Sequence, residues 1–188
     1  VVIDENGLAI INIQPLDMEN PEKDPKLLEM HMHRKLLEYE TLEGNTTLRI
    51  CIHLLNKKYD FNKNDLLFLV DNNPIIPHGR KEIFCNALNL GLHGKFYDAI
   101  HILAPQVENL FRELAKLLGG ITVTLEDDNT SKTKTLTSVF DIEALKECYD
   151  PNILFIFEGL LNEKSGANIR NRIAHGIMSP SQGNSGVV

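Results

Sequence analysis

Apolar and polar positions alternate along this chain with two periods, and the helical one governs most of its length. In "PKLLEMHMHRKLLEYE" the spacing of Leu28, Met32, Leu36 and Tyr39 predicts an amphipathic helix with one apolar stripe. A second helix is expected across "TTLRICIHLLNKKY", with Leu48, Cys51, Ile52 and Leu55 turned inward. "KNDLLFLVDNN" is too short to assign by period, "PIIPHG" breaks the chain, and "RKEIFCNALNLGLHG" resumes a helical pattern. The longest run covers 95–120. There Ile100, Leu103, Val107, Leu110, Phe111, Leu114 and Leu118 recur at i+3 and i+4, and Gly119-Gly120 supplies the stop. Pro105 inside that run should kink the helix or start a new one. Two further helices are expected in "SVFDIEALKECY" and "PNILFIFEGLLNE", the second opened by Pro151.

The strand period is confined to two places. Residues 1–13 hold two β-branched runs around Asn6-Gly7, a hairpin signal. In "ITVTLEDDNTSKTKTLTS" Ile121, Val123 and Leu125 alternate with threonine, and the chain turns at Asp128-Asn129, which reads as a second hairpin or flap. The fold class expected is therefore all-α, a helical bundle with a small β-hairpin insertion. Its divisions are an N-terminal extension and linker (1–20), an N-terminal helical part (21–85), a main helical domain (86–180) and a flexible tail (181–188).

Composition narrows the class. A chain of 188 residues with 43% apolar and 24% charged residues suits one well-cored globular unit. A formal charge of −7 repels nucleic acid and anionic membranes, so any polyanion must be held by a local basic patch. One such patch exists: residues 163–188 carry two Arg and one Lys against one Glu, a local balance of +2. Cys51, Cys85 and Cys148 are odd in number and widely spaced in apolar surroundings, which reads as buried, reduced thiols in a cytoplasmic protein. No signal peptide and no apolar run of spanning length is present, so no membrane role is expected. The start at Val1 rather than an initiating Met fits a segment of a longer chain.

The candidate chemistry lies in the basic end, "SGANIRNRIAHGIMSP". On one short helix Arg170 and His175 stand roughly 140° and about 7.5 Å apart. Asn171 and Arg172 are each within a turn of His175, at i+4 and i+3, so Asn171 could fix the imidazole while either arginine supplies charge. Imidazole titrates near neutrality and moves protons, and guanidinium groups bind phosphate oxygens. Lys164 and Asn168 extend the set as candidate substrate-binding groups with Arg172, and Glu108 and Arg112 on the long helix as supporting ones, Glu108 facing the terminal helix to orient Arg172. Residues 165–180 hold no Asp or Glu, so no magnesium cage is expected there, and no metal or cofactor is called for.

The run "RNRIAH", Arg170 to His175, resembles the R-N-x-x-x-H form of the Arg-x(4–6)-His motif of the HEPN superfamily. "GLHGKFYDAIHILAPQVENLFREL" and "LFIFEGLLNEKSGANIRNRIAHGI" extend the likeness to an uncharacterised family in it, related to the ER membrane-associated RNA degradation proteins. The likeness spans residues 86–178. It implies a HEPN-like bundle that forms a homodimer, with two motifs facing each other across a cleft that binds single-stranded RNA. By the same resemblance the chain would be a metal-independent endoribonuclease, placed in bacterial stress or phage defence. Arg170 and His175 would be the catalytic pair, and Asn171 a positioning residue. Attack by the RNA 2′-OH would leave a cyclic phosphate.

Two other functional classes fit the same residues: a non-catalytic interaction or RNA-binding module, and a regulatory nucleotide-binding domain. A purely structural reading also exists, in which Arg170 pairs with Glu163 or Glu108 and His175 caps the helix C-terminus. Glu108 and Arg112 then form a surface ion pair at i, i+4. His31 and His33, two residues apart, read as solvated helix positions, and His53, His93 and His101 as satisfied structural histidines.

Overall fold

Asp24 starts the first long helix. Its carboxylate accepts a hydrogen bond from the Leu27 amide at 3.0 Å, and Pro25 fills the first helical position, where its missing N–H costs nothing. The computed structural model describes residues 2–3, 9–125 and 130–186, and most of them are helical. Helix α1 (Pro25–Glu43) passes through a π-helical turn at Gly44–Leu48 into α2 (Arg49–Lys58). That turn is where the C-terminal segment crosses. The Gly186 carbonyl lies where a Cβ at residue 44 would stand, so only glycine admits the crossing.

Short α3 (Leu67–Val70), α4 (Lys81–Leu92) and the 22-residue α5 (Phe96–Leu117) follow. Helix α5 continues across Pro105 as one element rather than restarting there. Its Ala104, Phe111 and Ala115 are buried at helical spacing, and the two alanines let neighbouring helices approach closely. Around it sit α6 (Leu136–Phe140), α7 (Glu143–Cys148), α8 (Pro151–Leu161), α9 (Ile169–Ala174) and α10 (Pro180–Gly183). The expected single helix over 138–149 is thus two, broken at Asp141-Ile142. Phe111 meets Phe140 and Phe157 edge-on at 4.9 and 5.0 Å, the favoured geometry for aromatic rings. A smaller cluster of Leu66, Val70, Phe84 and Cys85 is joined to this core through Leu110.

Both expected hairpins are present as two-stranded antiparallel pairs, β1 (Val2–Ile3) with β2 (Ala9–Ile11), and β3 (Val123–Leu125) with β4 (Ser131–Thr133). Their expected turns, at Asn6-Gly7 and Asp128-Asn129, lie outside the described residues.

Several expectations need correction. On α1 the inward face is not Leu28–Met32–Leu36–Tyr39: Met32 and Tyr39 are 49% and 61% exposed, and His33 and Leu37 face the core instead. His33 is not solvated but 2% exposed, stacked flat on Phe155 at 3.9 Å. A neutral imidazole stacked this way fills space like an aromatic ring, and its burial holds the pKa below the ordinary histidine value against the pull of Glu29. Leu48 at the end of the π-helical turn and Cys51 and Leu55 of α2 are exposed, and Ile52 is half-buried. Cys85 is buried, whereas Cys51 and Cys148 are exposed thiols. The division at residue 85 falls inside α4. The segment expected as a flexible tail is, over 180–186, a short helix and turn. Ser179 and Gln182 close its N-terminus reciprocally, and Gly183 is buried against Tyr97. Among the described residues no helix is long and apolar enough to cross a membrane.

Candidate functional site

The chain reverses between α8 and α9 over residues 162–168, and the reversal sets the phase of the terminal helix. The amides of Ala167 and Asn168 both donate to the Gly159 carbonyl, at 3.0 and 3.4 Å. The Gly166 Cα packs directly on that backbone and leaves no room for a side chain. Asn168 then adopts a left-handed conformation (φ 53°, ψ 34°), which asparagine tolerates better than most residues, and α9 begins at Ile169. Ile169, 1% exposed, anchors the helix in the core, so Arg170 and Asn171 fall on the face toward α5 and the end of α8.

Glu108 of α5 is the centre of what they meet. Arg170 Nε donates to Glu108 Oε2 at 2.6 Å, with Nη2 at 3.4 Å from Oε1, and Arg112 Nη2 donates to the same Oε1. Arg112 also donates through Nη1 to the Lys134 carbonyl, just past β4. Glu108 and Arg112 side chains are each only 13% exposed, so this is a largely buried pair and not the surface ion pair expected from i, i+4 spacing. Burial pushes the Glu108 carboxyl up, but the hydrogen bonds and charges of Arg170 and Arg112 outweigh it and hold the group below its ordinary value. One carboxylate against two guanidinium groups leaves the cluster a net positive charge.

Arg170 Nη1 donates to Asn171 Oδ1 at 3.0 Å. Asn171 Nδ2 lies 2.7 Å from Asn168 Oδ1 and 3.3 Å from both oxygens of Asn162, whose own Nδ2 donates to Thr137 Oγ1. Three of the five guanidinium N–H groups of Arg170 are therefore engaged. Among the described residues the other two have no partner, and the side chain is 35% exposed.

The candidate residues divide accordingly. Arg170, Asn171, Asn168, Glu108 and Arg112 come together in one network. Glu108 meets Arg170, as in the structural reading of the sequence, and not Arg172, as in the functional one. His175 is the C-terminal cap of α9, exposed, its amide bonded to the Asn171 carbonyl at 3.0 Å. Among the described residues no hydrogen bond links its imidazole to Asn171 or Arg172, because the Asn171 carboxamide is spent on Arg170, Asn168 and Asn162. Arg172 is half-buried and Lys164 exposed, both outside the network. Asn162 and Thr137 belong to it and were missed; nothing in their local sequence marks them. Among the described residues no group of His, Cys, Asp and Glu is arranged to hold a metal ion. What the arrangement offers chemically is a fixed guanidinium with two free donors and, at the other end of the same short helix, a solvent-facing imidazole.

Comparison of the chain with protein-family models, curated proteins and solved structures finds no match.

Proposed function

We propose that this chain is a HEPN-like, metal-independent endoribonuclease whose reacting groups are Arg170 and His175. The observation that carries the reading is the division of labour on α9. Arg170 is held on two sides with two N–H groups left to receive phosphate oxygens, while the imidazole of His175 stays open to solvent. A pre-oriented guanidinium stabilises charge as it develops on a phosphorane, and does so without reorganising during the reaction. In the step proposed, the RNA 2′-OH attacks the adjacent phosphorus, the P–O5′ bond breaks, and a 2′,3′-cyclic phosphate forms. His175 carries the proton traffic, as a neutral base toward the 2′-OH or as an acid toward the leaving 5′ oxygen. In the homodimer that the motif resemblance implies, two such histidines share one cleft and divide these tasks.

The test is cleavage of a mixed single-stranded RNA in excess EDTA by wild type and by His175→Ala, with product ends mapped. Loss of a general acid–base group predicts a fall of about 10²–10⁴-fold, with cyclic phosphate ends in the wild-type products. Equal cutting by the two proteins would reject the assignment.

A second reading is favoured by Glu108. A carboxylate bound to both Arg170 and Arg112 is also what a purely structural ion cluster looks like, and such a surface serves a non-catalytic RNA-binding or interaction module. RNA binding by both proteins with cleavage by neither is the outcome that selects it.

A further inference from the structure

We infer that Asn162 is a positioning residue for Arg170, acting through Asn171, with Thr137 fixing Asn162 in turn. The inference uses the ribonuclease reading for its activity readout, but its geometry stands apart from that reading. Arginine has donors and no acceptor, so Asn171 can meet Arg170 Nη1 only with its carboxamide oxygen, and it does so at 3.0 Å. That choice turns Asn171 Nδ2 away from the arginine, toward Asn168 Oδ1 at 2.7 Å and the two Asn162 oxygens at 3.3 Å. Asn162, with Oδ1 committed to Asn171, presents Nδ2 to Thr137 Oγ1.

Each carboxamide in this chain has one permitted orientation, and donation runs one way: Arg170 to Asn171, Asn171 to Asn162, Asn162 to Thr137. Glu108 grips the other edge of the guanidinium through Nε and Nη2. The direction of the two remaining N–H groups of Arg170 is thereby set from α5 on one side, and from the end of α8 and the start of α6 on the other. Asn168, read from the sequence as a substrate-binding group, spends its side-chain oxygen inside this relay. Loss of the Asn162 side chain leaves Asn171 Nδ2 with Asn168 Oδ1 and the backbone carbonyl of residue 162, but removes the acceptor that is tied to Thr137 and so loosens the Asn171 amide. The guanidinium then pivots on Glu108.

Two readouts test this on the full chain: RNA cleavage kinetics, and the guanidinium resonances of Arg170 in arginine-labelled protein, assigned by their loss in Arg170→Lys. Wild type should show separate Nη resonances, the mark of restrained rotation. In Asn162→Ala these should merge, and kcat should fall about 10–100-fold with KM changed little, the pattern of a misdirected group rather than a lost contact. Thr137→Val, close to isosteric and therefore safe for folding, should move both readouts in the same direction by less. Thr137→Ser, which keeps the acceptor oxygen, should restore them. Unchanged Arg170 resonances in Asn162→Ala would overturn the positioning role whatever the activity does. A raised KM with unchanged kcat would also overturn it, by making Asn162 a substrate contact. Should wild type cut no RNA, the ribonuclease reading fails by itself, and the resonances still decide the relay.

Discussion

Helices α2 and α5 carry the same kind of amphipathic pattern and meet different fates. Helix α5 lies among α4, α6, α7, α9 and α10, and its apolar stripe is covered from Val107 to Ala115. Helix α2 and the π-helical turn before it leave Leu54 and Leu48 56% and 59% exposed, and lean over an apolar cleft of about 270 Å³ that Leu48 and Ile52 share with Leu88, Phe96 and Leu103. A helical period states that one face is apolar. It does not state that anything covers that face. The same contrast holds for charge: Glu108 on α5 binds two arginines almost out of solvent, whereas the α1 pair Lys35–Glu38 stands in water. Stability should therefore be concentrated around α5, and substitutions there and on α2 should differ sharply.

Among the polar substitutions Glu108→Ala should show the largest effect. It leaves two guanidinium groups facing each other with no carboxylate between them, and removing one partner of a largely buried ion pair typically costs about 3–5 kcal/mol. Arg170 is partly solvated, so the lower end of that range is expected, read as a drop in the urea midpoint with unchanged slope. A loss below about 1 kcal/mol, the level of an exposed pair, would erase the contrast with α1. Gly159→Ala comes next. Its Cβ would stand 2.5 Å from His33 Nδ1 in the contact between α1 and α8, and overpacking of this sort costs about 1–3 kcal/mol. A neutral result in the same unfolding assay would mean that α1 can move off α8 freely.

The residues of these two sites show how far the sequence could be read. Helices α1, α4, α5 and α8 were legible because their periods are long and their starts and stops are chemically marked. The buried face of α1 was not, because a histidine occupies its centre: His33 fills the place of an aromatic ring on Phe155, and no hydropathy pattern records stacking. Arg170, Asn171 and His175 stood out as neighbours in the chain. The sequence offered both Arg170 and Arg172 to Glu108 but could not choose, since the choice depends on where α9 begins, and that is set by the backbone contact of Gly166 with Gly159 and the left-handed turn at Asn168. Asn162 lies 9 residues from Asn171 and 25 from Thr137, and single asparagine and threonine residues carry no periodic signal. Contacts fixed by tertiary approach leave no trace in local sequence.

A pH experiment separates the two sides of the α1–α8 contact. Burial, and then the charges of Glu163, Glu29 and Asp141, push the Glu158 carboxyl up to about 7, with Lys146 pulling the other way. The folded protein thus holds this proton up to about pH 7, whereas the unfolded carboxyl releases it near its ordinary value of 4.5. The stability it contributes is complete below pH 4.5 and lost as pH rises toward 7. Glu158→Gln should therefore stabilise the protein at pH 8, by about 1 kcal/mol after discounting for solvent screening, and the gain should vanish toward pH 4.5. His33 works in the opposite sense, losing stability as pH falls below 6.5, but it is present in both proteins and drops out of the difference. Unfolding curves of the two proteins from pH 4.5 to 8 supply the measurement, and a difference independent of pH would remove Glu158 as its source.

The smallest effect is expected on α2, and it sharpens the comparison most because it is nearly zero. Leu54 is as apolar as Leu154 of α8, yet one is 56% exposed and the other 7%. Leu154→Ala removes contacts inside the α5 core and should cost about 2–4 kcal/mol, while Leu54→Ser touches a face that nothing in the described fold covers and should stay within about 0.5 kcal/mol. Both are read in the same denaturation assay, at two protein concentrations. A loss at Leu54 that deepens as the protein is concentrated would mean that copies of this chain cover α2 when they meet. A loss of more than 1 kcal/mol that ignores concentration would mean that α2 packs within its own chain, and the contrast between the two helices would collapse.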